Sequence, residues 1–471
     1  MTHSATIERD VAAKPAWTSK QIVMLLVVSI AGLLVSLTQS LLVPVMPELA
    51  VGLRASADDI AWLLTATLLV GAVAVPVFGR LGDLYGTKLM LLVAVASLVA
   101  GSLVCALSDS LAGLIVGRAI VGLSVTAVPL SISLIGVTLP REHAATGVAV
   151  ISAMLGVGGA LGLPLAGLIA EYSTYHALFW ICVAGGVVAF PIILAVVPEP
   201  ARAARGRMDI PGSVLLGATV LALLLPLAKG NAWGWGDPLT LGLLAAAAVL
   251  LAGFVVLERR LASPLVDVRT SARPAMLLTN VASLCVGFAL FATLIGTASY
   301  VQAPAATGYG FGKSILVGGL CMLPGGLAML ALSPFSAKLR PRTALIAGSL
   351  VIAVGFGARI VFTDHLWQVI LFTTIAGAGT GIAYAAMPGL VMRAAPRSEL
   401  ASANGLNTLF RSVGSSLASA VGGSILAAQT ITIAGYALPS LAAYRTLFAL
   451  CAGAAVLAAA LALFIPRSVS G

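Results

Sequence analysis

Apolar runs of membrane-crossing length recur from one end of this 471-residue chain to the other, and they leave few folds open. A bilayer core takes roughly 20 apolar residues as a helix. Hydrophobic residues make up 60% of the sequence and charged residues 9%, against about 25% charged in a soluble domain. The chain is therefore read as an all-α polytopic membrane protein. The stretch 1–20 is polar and leads directly into a full-length span, so no cleavable signal peptide is expected.

Spans are expected at about 21–47, 60–78, 89–107, 111–135, 145–170 and 178–197, then 213–227 and 239–257, then 275–301, 314–336, 344–362, 366–392, 401–428 and 442–464. These fourteen divide as six, two and six. The division predicts a tail at 1–20, a first six-helix bundle at 21–198, two inserted helices with basic flanks at 199–272, a second bundle at 273–465 and a tail at 466–471. Transporters are often built from such repeated halves. The net charge of +10 is not a nucleic-acid footprint. Of the 26 Lys and Arg, only Arg54, Lys229, Lys313 and Arg445 fall on one set of alternate loops, and Arg118, Arg359 and Arg411 fall inside spans. All the others lie on the opposite set of loops, which the positive-inside bias makes cytoplasmic, with both termini on that side. The five cysteines lie in apolar segments without metal-ligand spacing and read as small core residues. Neither a metal nor a cofactor is expected.

Between the second and third spans lies the stretch 79–88, Gly-Arg-Leu-Gly-Asp-Leu-Tyr-Gly-Thr-Lys. Its glycines permit a tight reversal, and a carboxylate among basic residues is unusual in so apolar a chain. Ser336-Ala337-Lys338-Leu339-Arg340-Pro341-Arg342 echoes it at the same place in the last six spans, without the Asp or the glycines. The fourth span carries Leu-Ile-Val-Gly-Arg-Ala-Ile-Val-Gly at 114–122, centred on Arg118. The fifth carries Gly-Gly-Ala-Leu-Gly-Leu-Pro-Leu-Ala-Gly at 158–167. A further run extends from Asp209 through the Trp-rich loop 230–238 to Glu258.

In this order and spacing, the four features resemble those of the fourteen-helix drug:proton antiporter branch of the major facilitator superfamily, over nearly the whole chain. The resemblance implies the major facilitator fold and secondary active export: small hydrophobic or amphiphilic compounds such as antibiotics leave by alternating access in exchange for protons.

 It also implies a role for residues that match the family's motifs. Gly79, Arg80, Gly82, Asp83, Gly86 and Lys88 correspond to a conformational latch loop, in which the Asp contacts a helix terminus of the other half. Arg118 corresponds to an Arg with a part in proton coupling. Gly158, Gly162, Pro164 and Gly167 correspond to an antiporter-motif helix at the interface between the halves. Here the proline falls one position later than the usual Gly-Pro pair and Ala166 replaces a glycine, so simple close packing through small residues is a rival reading.

The residues themselves add to this. An intramembrane Arg118 is costly unless it faces a wet cavity or a partner, which makes it a functional candidate; snorkelling to the interface is the rival. Every one of the 16 Asp and Glu is assigned to a loop or a helix end, whereas intramembrane carboxylates are the usual proton relays. Many members of the branch carry an Asp in the first helix, and Thr38 stands there. Asp58, Asp59, Asp83 and Glu171 remain as carboxylates at membrane boundaries, with Asp58 and Asp59 explained first by a capping box that Ser56 opens. Thr38, Gln39, Asn280, Tyr300, Asn407 and Arg411 are the candidates to line a mostly apolar substrate cavity, while Asn404 reads as interhelical glue. Basic residues deep in the helices, without acidic ones, fit a substrate with an anionic or neutral polar group. The partners expected are that substrate, protons and membrane lipid, with no nucleic acid, and the chain is expected to act as a monomer in the cell membrane. A facilitator without proton coupling or a lipid-handling carrier of the same fold is the alternative. A membrane-embedded enzyme is disfavoured, because the chain has no His-Glu-x-x-His, no Gly-x-Ser-x-Gly and no P-loop.

Overall fold

The computed structural model describes residues 16–42, 45–201, 204, 206–261, 263–433 and 436–466. Helices account for nearly all of it. The first six crossings are α1 (Ser19–Ser40), followed by a short α2 (Met46–Gly52), then α3 (Ala57–Tyr85), α4 (Thr87–Ala106), a crossing broken into α5 (Leu111–Ser124) and α6 (Ala127–Thr138), α7 (Arg141–Tyr172) and α8 (His176–Val196). Two inserted crossings follow, α9 (Ile210–Trp233) and α10 (Pro238–Glu258). After the single turn α11 (Val268–Ser271) come α12 (Pro274–Gln302), a crossing broken into α13 (Ile315–Leu320) and α14 (Leu323–Ser336), α15 (Pro341–Val361), α16 (Leu366–Ala394), α17 (Leu400–Ala428) and α18 (Leu441–Leu463). A small antiparallel hairpin, β1 (Thr430–Ile433) and β2 (Tyr436–Pro439), joins α17 to α18 and pairs Thr430 with Pro439.

Among the described residues, 13 helical crossings are long and apolar enough to span a membrane. The fourteenth, α17, is 29 residues long but carries Asn404, Asn407, Arg411 and several serines. Three expected spans end elsewhere: the second runs to Tyr85 rather than 78, so most of the stretch expected to form the turn, 79–88, is helical and the reversal comes at Gly86. The first stops at Ser40 rather than 47, and Pro47 lies in the first turn of α2, where its missing N–H leaves no bond unmade. The seventh runs to Trp233 rather than 227, so Lys229, expected in a loop, is a buried helical residue at 2% exposure. Polar caps start the helices where the apolar runs begin. Thr18 and Ser56 form capping boxes with Gln21 and Asp59, and Asp209, Asp237, Ser314 and Ser440 each accept a first-turn N–H.

Buried side chains collect in separate cores. One, with Val286, Phe356, Met387 and Phe448, fills the second half. Two fill the first half, around Val28, Leu91 and Ile135 and around Leu41, Leu98 and Phe179. A fourth joins Leu69 of α3, Leu216 and Leu224 of α9, Phe254 of α10 and Leu409 of α17. The inserted helix α9 thus lies along the seam where α3 of one half meets α17 of the other. All five cysteines are buried and free.

Lipid tails are as apolar as leucine, so helices in a membrane associate through close packing rather than water exclusion. Gly101 of α4 shows the consequence: a Cβ there would lie 2.6 Å from the Gly117 carbonyl oxygen and 2.6 Å from the Val121 nitrogen. Gly357, on α15, has nothing within 4 Å. Gly101→Ala is expected to destabilise the purified protein by about 1–3 kcal/mol, while Gly357→Ala leaves it unchanged or slightly more stable. Thermal unfolding followed by tryptophan fluorescence checks both; equal midpoints would contradict the α4–α5 packing.

Candidate functional site

Asp83 lies in the last turn of α3, and its carboxylate reaches the first turn of α17. The Ala401 N–H donates to Oδ1 at 2.9 Å and the Ser402 N–H to Oδ2 at 2.9 Å. A helix start leaves its N–H groups without internal partners and carries partial positive charge, so a carboxylate there is well placed. Gly79, one turn earlier, makes the approach possible: a Cβ would lie 2.7 Å from the Ala401 carbonyl oxygen. Gly86 ends the loop at φ +126°, a backbone conformation that favours glycine. Beside it Glu199 accepts from the N–H groups of Lys88 (3.2 Å) and Leu89 (3.1 Å) at the start of α4, and Lys88 Nζ donates to the Leu194 carbonyl at 2.8 Å. Arg80 is buried beside them. Burial pushes the neighbouring Glu399 carboxyl up, and nearby Asp267 acts the same way, while Arg80 and Arg273 oppose them. A second polar link crosses between the halves at this end. Asn404 Nδ2 donates to Ser133 Oγ at 3.0 Å, and Ser133 Oγ donates to the Leu400 carbonyl at 3.2 Å.

Next to these links lies a cavity of about 1150 Å3. Asp83, Ser133, Gly136 and Val148 line it from the first half, and Ala386 and Met392 from the second. The helix α7, whose Val148 lines the cavity, runs between α1 of its own half and α13 and α14 of the other. Gly158 and Gly162 face α1, where a Cβ would lie 2.5 Å from Ser36 Cβ and 1.9 Å from Ser40 Oγ. Ser40 Oγ in turn donates to the Gly158 carbonyl at 3.2 Å. Pro164 and Gly167 face the other half: a Cβ on Gly319 would lie 2.7 Å from the Pro164 nitrogen, and one on Gly167 would lie 3.4 Å from Leu316.

Three arginines are fully enclosed. Arg118 Nε donates to the Leu63 carbonyl at 3.0 Å and Nη1 to the Thr38 carbonyl at 2.9 Å, which binds α5 to α3 and α1. It does not snorkel, being 1% exposed. Arg359 stacks 4.0 Å from the Phe448 ring centroid and donates to Thr297 Oγ1 at 2.6 Å, leaving Nε and Nη2 without partners. Arg411 stacks 4.9 Å from the Tyr384 ring centroid and donates to Thr408 Oγ1 at 3.0 Å, leaving Nη1 without one. Among the described residues none of the three is paired with a carboxylate.

The Thr38 hydroxyl donates to the Val35 carbonyl of its own helix, and Gln39 is half-buried. Asn407 Nδ2 donates to Asn280 Oδ1 at 2.9 Å and to Ser283 Oγ at 2.7 Å, joining α17 to α12 within one half. Tyr300 is buried in an aromatic cluster with Tyr309, Phe311, Tyr444 and Phe448, and none of these lines the large cavity. Asp59 closes the capping box, whereas Asp58 pairs with Lys229 Nζ at 2.7 Å; the box therefore explains one of the two aspartates only. The Glu171 side chain, Arg9, Lys14, Arg202, Arg205 and Arg467 lie outside the described residues. Sequence reasoning missed Glu199 and Ser133, whose partners are 110 or more residues away.

The family model of the Major Facilitator Superfamily matches residues 28–320 and 304–471. The chain belongs to the Major Facilitator Superfamily. It is 31% identical over 405 residues, 84% of its length, to an uncharacterized MFS-type transporter of Mycobacterium tuberculosis, and covers 58% of that relative's own length. It is 29% identical to the tetracenomycin C resistance and export protein of Streptomyces glaucescens, over 86% of this chain and 76% of that one. It is 28% identical to the multidrug resistance protein Stp of Mycobacterium tuberculosis, over 84% of this chain and 74% of that one. In fold it is similar to the human organic anion transporter MFSD10, with a TM-score of 0.66, 16% identity, 95% of this chain and 100% of that one covered. By this family match and its apolar helices, the chain is a multi-pass membrane protein of the superfamily.

Removing the Asp83 carboxylate leaves two backbone donors at the start of α17 without their partner. Asp83→Ala is expected to cost about 1–3 kcal/mol and to speed hydrogen exchange in a peptide containing Ala401 and Ser402, but not in one covering α15. Unchanged exchange at Ala401 and Ser402 would show that the carboxylate does not hold this seam.

Proposed function

We propose that this transporter exports small hydrophobic or amphiphilic compounds by alternating access, with its two six-helix halves rocking about the space between them in exchange for protons. The observation that carries the reading is the cavity of about 1150 Å3, which both halves line beside the Asp83–α17 contact. A cavity at one end of a two-half carrier is what rocking opens and closes. Asp83 is then the latch of that motion, because its bonds exist only while α3 and the start of α17 adjoin. The end that carries Asp83, Arg393 and Arg397 is the cytoplasmic one by the positive-inside bias, and the protein works in the cell membrane as a monomer without a catalytic reaction. The resistance and export proteins of Streptomyces and Mycobacterium among its relatives support drug or antibiotic export.

The buried cations support a substrate class. Arg411 and Arg359 hold charge among helices with N–H groups left over and no carboxylate partner. A buried charge without compensation is costly, and a substrate with an anionic or polar oxygen would supply it. Of the two, Arg411 is on α17, the helix that meets the other half. A facilitator without proton coupling is the second reading. It is favoured by the position of the carboxylates, which are all at helix ends or in loops among the described residues.

Drug-evoked proton movement in proteoliposomes separates the two. Under an imposed pH gradient, a panel of lipophilic acids and neutral amphiphiles is expected to evoke proton flux in the wild type. Arg411→Ala should reduce it at least tenfold for the acids and less for the neutral compounds. Substrate movement without proton movement would sink the antiport reading and leave a facilitator. Equal losses for acids and neutral compounds would remove Arg411 from substrate selection.

A further inference from the structure

Asp209 caps the start of α9 and Glu258 is the last residue of α10, and the two inserted helices bring them together. Asp209 is 7% exposed and Glu258 is 3% exposed. One oxygen of each is held by backbone: the Gly212 N–H donates to Asp209 Oδ1 at 2.9 Å and the Val266 N–H to Glu258 Oε2 at 3.2 Å. The other two oxygens, Asp209 Oδ2 and Glu258 Oε1, have no donor. They converge over Gly212, where a Cβ would lie 1.9 Å from Oδ2 and 2.3 Å from Oε1. The two oxygens are therefore separated by no more than the sum of those distances, and no larger residue than glycine leaves them that room.

Two carboxylate oxygens can hydrogen-bond only when a proton lies between them, and two buried carboxylates this close cannot both ionise without a compensating charge. Among the described residues, the charged groups of the surrounding elements are engaged elsewhere or exposed. Arg80 of α3 acts on Asp83 and Glu399. Asp267 caps α11, and Arg273 acts on Glu399. Arg207, Arg259, Arg260 and Arg269 are exposed. Lys229, at the other end of α9, is paired with Asp58.

We propose that Asp209 and Glu258 bind one proton between them, so that the inserted helices carry a proton site at the same end of the protein as Asp83. The proton comes from water at that end and bridges Glu258 Oε1 and Asp209 Oδ2; as a coupled pair, the two groups hold it jointly. With the proton bound, the start of α9 and the end of α10 are joined by a hydrogen bond. Without it, two like charges face each other over Gly212, and the join loosens. Because α9 lies on the seam between α3 and α17, the site makes the seating of the inserted helices sensitive to pH. The inference needs neither a substrate nor a proton gradient, so it stands or falls separately from the transport reading.

Infrared difference spectroscopy of the purified full-length protein in lipid nanodiscs tests it, as pH is raised from mildly acidic to mildly alkaline. The wild type is expected to keep the C=O stretch of a protonated carboxylic acid at neutral pH and to lose it on the alkaline side. Glu258→Gln should abolish this component, and Asp209→Asn should abolish or shift it, while Asp83→Asn leaves it in place. The proton is bound more tightly in the folded state, so its stabilisation is present at low pH and is lost as pH rises through the pair's titration. The thermal midpoint of the wild type should fall over that interval, and that of Glu258→Gln should fall less. If Glu258→Gln does not fold, Asp209→Asn gives the same reading. A wild type without a protonated carboxyl at neutral pH, or a band unchanged in both variants, would overturn the proposal. So would a band that sodium ions displace at constant pH, because the pair would then be a cation site.

Discussion

A carboxylate set against the start of a helix is the contact on which the two halves of this protein depend at one end. Asp83 satisfies two N–H groups that α17 cannot satisfy for itself. It joins one side chain to one helix terminus, beside a close packing of the two helices in which Gly79 approaches the Ala401 carbonyl and Gly405 the Val75 carbonyl. Around it the connections are of similar kind: Glu199 at the start of α4, and Ser133 with Asn404 and Leu400 between α6 and α17. Polar groups of one element complete the helix ends of another, and the chain between them is left to pack by shape.

Shape packing is where the glycines matter. Gly79 lets α3 touch the start of α17, Gly158 and Gly162 let α7 touch α1, and Gly319 admits Pro164 from the other half. The fifth-span motif is therefore split between two duties. Its first glycines join α7 to its own half, and the segment from Pro164 onward meets the opposite half. That division follows from helical geometry, since residues four apart share a face and the intervening ones do not.

Much of the fold could be read in the sequence, because the lipid environment permits so little else. Apolar runs of sufficient length give the crossings, and the polar residues Thr18, Ser56 and Asp209 mark where they begin. Boundaries failed where a polar residue was buried with a partner far away in sequence. Lys229 looked like a loop residue because only the folded chain brings Asp58 to it. The site was legible in its motifs and illegible in its pairings. Asp83 and Arg118 stood out as charges in apolar surroundings, but nothing near Asp83 in sequence points to Ala401, and nothing near Arg118 points to the carbonyls of Thr38 and Leu63. Position at a helix end also proved a poor guide to exposure, since Asp209 and Glu258 are at ends and buried.

The inserted helix α9 is fastened to both halves at its far end. Lys229 holds Asp58 of α3, while Asn231 Nδ2 donates to the Ala420 carbonyl and Trp235 Nε1 to Ser424 Oγ, both of α17. Among the described residues, the boundary between α3 and α17 is therefore roofed over by a helix, whereas the inserted pair makes no comparable packing on that between α7 and α14. A compound dissolved in the bilayer meets these two flanks of the protein on unequal terms. One presents a closed wall, and the other presents the edge of two helices that meet through glycine. The insertion thus gives a protein of two similar halves a front and a back as seen from the lipid.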